Sequence, residues 1–187
     1  MFDFIDQKKV VYVTFAVILF ISAFFAPFAI FYPIKAMFIT PAAMEIGTSP
    51  ISWVTGAIGL SLVAGGLVVL AAMEQPVKKY GAALVLFVTG IAGLSFSLTD
   101  YYYITPENFV HNASFALTSE IYEWTDFEKV QEHTVTENGV TKVDAVTFYM
   151  KDGTVLDLNA AQILDMTSTI KFGVEQAGGT TERIEGN

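Results

Sequence analysis

The chain has 187 residues, 53% of them hydrophobic, and a mean hydropathy of +0.50, values that belong to an integral membrane protein. It carries no cysteine, which excludes disulfides, thiolate metal sites and cysteine nucleophiles. Residues 1–98 hold five basic and four acidic side chains and residues 99–187 five basic and fifteen acidic, so the acidic second half argues against nucleic acid or an anionic leaflet as its partner.

Residues 1–9 form a short lead ending in Lys8-Lys9. Three apolar segments follow, at about residues 10–32, 51–72 and 80–98. At ~1.5 Å per residue, about 20 residues cross a ~30 Å hydrocarbon core, so each segment predicts a transmembrane helix. The first is too long for the apolar region of a cleavable signal and is read as a retained span. Pro27 should kink it, and Phe20, Phe24, Phe25, Phe28 and Phe31 supply lipid-facing bulk. Residues 33–50 read as a connector with Lys35, Glu45 and the turn formers Pro41, Gly47, Ser49 and Pro50. Within it, residues 34–39 are apolar enough to extend the first helix or to lie in the interface. Trp53 is an expected interface anchor of the second span.

Small residues recur every four positions at Ala57, Ser61 and Gly65 in the second span, and at Thr89, Gly93 and Ser97 in the third. Such faces let helices approach closely in lipid. Two uses are open: packing among the chain's own helices, or docking of a partner subunit or a second copy. No ionisable side chain falls within the three segments, which disfavours a transporter or channel. Lys8, Lys9, Lys78 and Lys79 fall on one side of a three-span topology and Lys35 on the other. The basic side belongs in the cytoplasm, which puts the C-terminal domain outside; a cytoplasmic domain is the alternative.

From Tyr101 the pattern becomes that of a water-soluble, mainly β domain over residues 101–176. Strands are expected at 101–104, 109–114, 119–124, 131–136, 140–150 and 154–158, with hairpin turns at Asn138-Gly139 and Lys151-Asp152-Gly153. A short helical turn is expected at 125–130, with Thr125 as cap and Glu128 as its partner. Asn159 can cap a closing helix over 160–176, where Ile163, Met166, Ile170 and Val174 make one apolar stripe and Gly178-Gly179 a stop. Residues 177–187 read as a flexible tail.

The run Tyr103-Ile104-Thr105-Pro106-Glu107-Asn108-Phe109, the element Tyr122-Glu123-Trp124-Thr125-Asp126-Phe127-Glu128-Lys129-Val130 and the hairpin Phe148-Tyr149-Met150-Lys151-Asp152-Gly153-Thr154 resemble a bacterial pleckstrin-homology-like domain. The resemblance covers about residues 101–176 and rests on hydrophobic pattern, one Trp-x-Asp and turns. It implies a split barrel closed by one α-helix, carried on a few membrane spans and used for binding or assembly. It also implies a cytoplasmic domain, opposite to the charge count. Trp124, with Tyr103 and Phe109, is the candidate domain core or binding anchor.

No motif for chemistry stands out. His111 and His133 could meet Glu107 or Glu132, but no metal-ligand spacing joins them. Glu120, Glu123, Asp126 and Glu128 lack the rhythm of a calcium loop and read as a solvated face. Ser114 and Ser119 lie outside any nucleophile motif, and Asn112-Ala113-Ser114 is a chance-level glycosylation tripeptide. The turns at 112–117 and 137–141 contain no basic cluster, so phosphoinositide is not an expected ligand. The sequence therefore predicts a non-enzymatic scaffold or accessory protein without cofactor or metal. Its expected partners are membrane lipid and a membrane protein, or copies of itself as a structural or sensory assembly.

Overall fold

The computed structural model describes residues 7–113, 115–137, 140–159, 163 and 166–185. Ser114, the Asn138-Gly139 turn and the expected start of the closing helix at 160–162 lie outside the described residues, as do 1–6, 164–165 and 186–187. Two compact units emerge: Met1–Ile39 with Pro50–Asp100, and Thr40–Ser49 with Tyr101–Asn187.

The first unit consists of α1 (Gln7–Ile39), α2 (Pro50–Ala72) and α3 (Pro76–Thr99), all long and apolar enough to cross a membrane. Pro50 and Pro76 each open a helix, where a missing backbone N–H costs nothing. Helix α1 continues past the expected end at Tyr32, through two π-helical turns at Pro27–Phe31 and Lys35–Ile39. The Tyr32 N–H reaches back to the Pro27 carbonyl, and this wider turn carries the helix past proline instead of breaking it. The 33 residues of α1 make a helix about 50 Å long, well beyond a ~30 Å hydrocarbon core. Lys35, expected in a connector outside the spans, is thereby part of α1 and buried.

The interior of this unit is built from small residues. Helix α1 buries Ala16, Ala23 and Ala26, α2 buries Ser52, Gly56, Gly59 and Gly66, and α3 buries Ala83, Gly90 and Ser97. The steps of three, four and seven among these are those of a heptad seam, and Ala64 and Ala71, seven apart and also buried, give α2 a second small face. Large side chains such as Phe24, Phe25, Leu84, Val85 and Ile91 face outward. A Cβ on Gly59 would lie 2.8 Å from the Gly90 carbonyl oxygen, and one on Gly90 2.8 Å from that of Gly59. Only glycine permits this backbone approach.

Among the described residues the second unit has eight strands: β1 (Glu45–Gly47), β2 (Tyr101–Ile104), β3 (Asn108–Asn112), β4 (Glu120–Glu123), β5 (Phe127–Glu137), β6 (Val140–Met150), β7 (Val155–Asn159) and β8 (Thr180–Glu185). They form two four-stranded sheets, ordered β1-β2-β3-β4 and β7-β6-β5-β8, and neither closes on itself. Among the described residues only β5 and β8 pair in parallel. Helix α4 (Thr167–Gln176) supplies Ile170 and Val174 to a core that includes Phe109, Phe127, Val130, Val146 and Phe148. The Lys151-Asp152-Gly153 turn forms as expected, with Gly153 at φ +88° and the Thr154 N–H donating to Asp152 Oδ1.

Three expectations are corrected. Of the expected tail at 177–187, residues 177–185 are not free, because Gly178 takes a left-handed φ of +87° after α4 and turns the chain into β8. The connector is not a mere loop, since Glu45–Gly47 pairs with Ile104–Tyr102 as an edge strand. The short helical turn is Trp124–Asp126, capped by Glu123 with Asp126 as its partner, so Thr125 is not the cap and Phe127 already begins β5.

Candidate functional site

In the β unit, residues beside β1 and from β2 and α4 surround a groove of about 450 Å³. The hairpin turn after β2 brings Thr105 and Pro106 to its rim, and the capped turn before β5 holds Trp124 in its wall. Trp124 Nε1–H donates to the Pro106 carbonyl at 3.1 Å, while its ring packs on the core and on Gly173 of α4. A Cβ at Gly173 would come within 2.8 Å of the indole, so α4 can approach only as glycine. Phe172 on α4 and Met44 before β1 also line the groove, exposed at 61% and 63%. None of the groove's lining residues is charged.

The other two anchor candidates have different places. Phe109 is fully buried and stacks with Phe148 and Tyr122, so it is core. Tyr103 is half-buried beside Tyr101, and burial, with that neighbour's charge, pushes its phenol up.

The small-residue candidates divide as well. Ser61 and Gly65 line an apolar groove of about 330 Å³ between α1 and α2, opposite Ala16 and Phe20. Ala57 is half-buried and Thr89 exposed, so neither joins the closest seam. Gly93 does, with its Cβ position 3.3 Å from Gly59 Cα, and so does Ser97. Tighter contacts belong to Gly56, Gly59, Gly66 and Gly90, which the four-residue spacing passes over.

At the end of this seam sits a cluster the sequence did not announce. Lys35 is 1% exposed, and its ammonium donates to Ser52 Oγ at 2.7 Å and to the Asp100 carbonyl at 2.5 Å. Ser52 and Ser97 exchange hydroxyl-to-carbonyl bonds, both at 2.7 Å. A cation from α1 thus caps the carboxyl end of α3, where the helix dipole favours it. Its chemistry is that of a lock among three helices.

A second polar cluster ties β5, α4 and β8 together. Buried Glu132 pairs with Lys171 at 2.6 Å and with Arg183 at 3.1 Å. Burial pushes the Glu132 carboxyl up, but the hydrogen bonds and charges of Lys171 and Arg183 outweigh it and hold the group below the usual carboxylate range. Arg183 was hidden from sequence reasoning because its segment reads as a tail.

The remaining polar candidates do not converge. His133 Nε2 lies 3.0 Å from Thr147 Oγ1, which donates to Asp157, whereas His111 is on β3 beside Phe109. Glu120 accepts from the Tyr122 hydroxyl, and Asp126 accepts from the Glu123 N–H, so the acidic run is partly spent on local structure. Ser119 shares a hydrogen bond with the Tyr101 hydroxyl. Among the described residues no three His, Asp or Glu side chains gather as metal ligands.

No protein-family model, curated protein or solved structure matches the chain.

Proposed function

We propose that this chain is a non-enzymatic, membrane-anchored scaffold whose β unit docks an apolar segment of a protein partner. The observation that carries the reading is the uncharged groove beside Trp124, with Phe172 and Met44 exposed on its rim. Exposed aromatic and methionine side chains around a preformed groove are the usual anchors of protein recognition. Helix docking in the groove, or strand addition beside it, are the available modes. The helical unit provides the anchor, and the groove lined by Ser61 and Gly65 offers a place for a partner's transmembrane helix.

A pleckstrin-homology-like assignment for residues 101–176 belongs to the same proposal. Two sheets followed by a helix support it; β1 and β8, which lie outside that span, and the open sheets weigh against it. The same reading puts the β unit outside the cytoplasm; the support is that Lys8, Lys9, Lys78 and Lys79 flank spans on one side, while Lys35 lies inside α1. Protease added to intact cells should then remove the β unit; full protection reverses the orientation.

The test is affinity purification from native membranes in mild detergent, comparing the natural chain with Phe172→Glu. The scaffold reading expects a partner that the variant loses while keeping its thermal stability. Recovery of one repeated chain in both, measured by mass in nanodiscs, would favour the second reading, a self-assembling structural or sensory protein.

A further inference from the structure

We propose that the loop after β3, through Phe115 and Leu117, rests in the lipid interface of the membrane that α3 crosses. The reading goes beyond protein docking and rests on three observations. First, the loop is apolar where its unit is acidic: no charged residue occurs between Glu107 and Glu120. Leu117 is 90% exposed and Phe115 53%, with Phe115 held at φ +68°, a conformation non-glycine residues seldom adopt.

Second, chain continuity fixes where the loop begins. Residues 80–99 of α3 are uncharged, and their 20 residues match the ~30 Å of a hydrocarbon core, so Asp100 marks its edge. Strand β2 starts at Tyr101, the next residue. Third, the register within the β unit returns the chain to that level: Tyr101 pairs with Asn112, the last residue of β3. The loop runs on from there, and the hydroxyls of Tyr101 and Ser119 meet across it at 3.1 Å. Tyr101 and Tyr103, on one face of β2, are residues of the kind that gather at the headgroup level. An apolar tip at this depth is drawn into the acyl boundary as the apolar face of an interfacial helix is.

The absence of cysteine makes the test direct. Leu117→Cys is labelled with an environment-sensitive fluorophore in the full chain, reconstituted in nanodiscs of zwitterionic lipid. Asp152→Cys is the reference; it lies on the turn whose Lys151 N–H bonds to the Asp126 carbonyl, beyond the far end of β4. The Leu117 label should be quenched by nitroxide-bearing lipid and shielded several-fold from aqueous iodide relative to the Asp152 label. Equal iodide access at both positions overturns the proposal. So does a Leu117 label shielded from both quenchers, which would mean that protein covers the loop.

Discussion

The two units solve the problem of an interior in opposite ways. The β unit fills its core with large side chains, Phe109, Phe127 and Phe148, and its one buried carboxylate among the described residues, Glu132, is held by two cations. The helical unit buries alanine, serine and glycine and turns its phenylalanines and valines outward. The solvent dictates this inversion. In water, burying apolar area drives folding at about 25 cal/mol per Å². Lipid is as apolar as leucine, so nothing is gained there by hiding leucine; close backbone approach and interhelical hydrogen bonds remain as the forces. Lys35, Ser52 and Ser97 supply the latter.

Substitutions that reverse residue size should break the two units selectively. Gly59→Leu has the largest expected effect. Its Cβ alone would collide with the Gly90 backbone, so α2 and α3 must part, at a cost beyond the ~1–3 kcal/mol of ordinary overpacking. The full chain in detergent should lose its monodisperse size-exclusion peak; an unchanged peak and melting curve would refute the seam. Phe148→Ala is the mirror case, removing a fully buried ring from the β core for about 3–5 kcal/mol. Its thermal transition should fall by many degrees, with helical content intact.

Glu132→Gln is the mildest of these and separates the units by pH. The folded Glu132 pKa is depressed, so its contribution is complete above the unfolded value of ~4.3 and is lost as pH falls through the folded one. The substitution should cost about 1.5–3 kcal/mol near neutrality, toward the lower end because Arg183 is largely exposed. It should also flatten the loss of β-unit stability below pH ~4. A variant as acid-sensitive as the natural chain would show that the cluster contributes little.

The contrast also explains what could be read from the sequence. The spans were legible because lipid demands about 20 uncharged residues in a row, and the α4 stripe because water demands a periodic face. The β5–β6 pairing and the Gly153 turn followed from alternation and turn chemistry. The seam register was not legible. Between Ile51 and Ala72 so many residues are small that several spacings fit, and only the fold selects Gly56, under the Phe31 ring and the Ser97 hydroxyl, and Gly59, against the α3 backbone, over Ala57. β8 was missed because Thr180-Thr181-Glu182-Arg183-Ile184-Glu185 has one large apolar residue and is held by pairing and ion pairs. β1 has three residues, too few for any pattern. The Trp124 groove was half legible: the tryptophan stood out, but Met44 and Phe172 reach it only through the fold.

β1 has a consequence for biogenesis. Its partner β2 is synthesised more than fifty residues later, after two further helices have entered the membrane. Until then the Glu45–Gly47 backbone has no ladder to join, and Glu45 lacks the Thr169 hydroxyl that bonds it in the finished unit. The sheet therefore cannot be completed before α3 has emerged, which couples the folding of the water-facing unit to the insertion of the membrane-facing one. A nascent chain whose third helix fails to insert would carry an open strand edge, the feature by which quality-control proteases and aggregating neighbours find incomplete proteins.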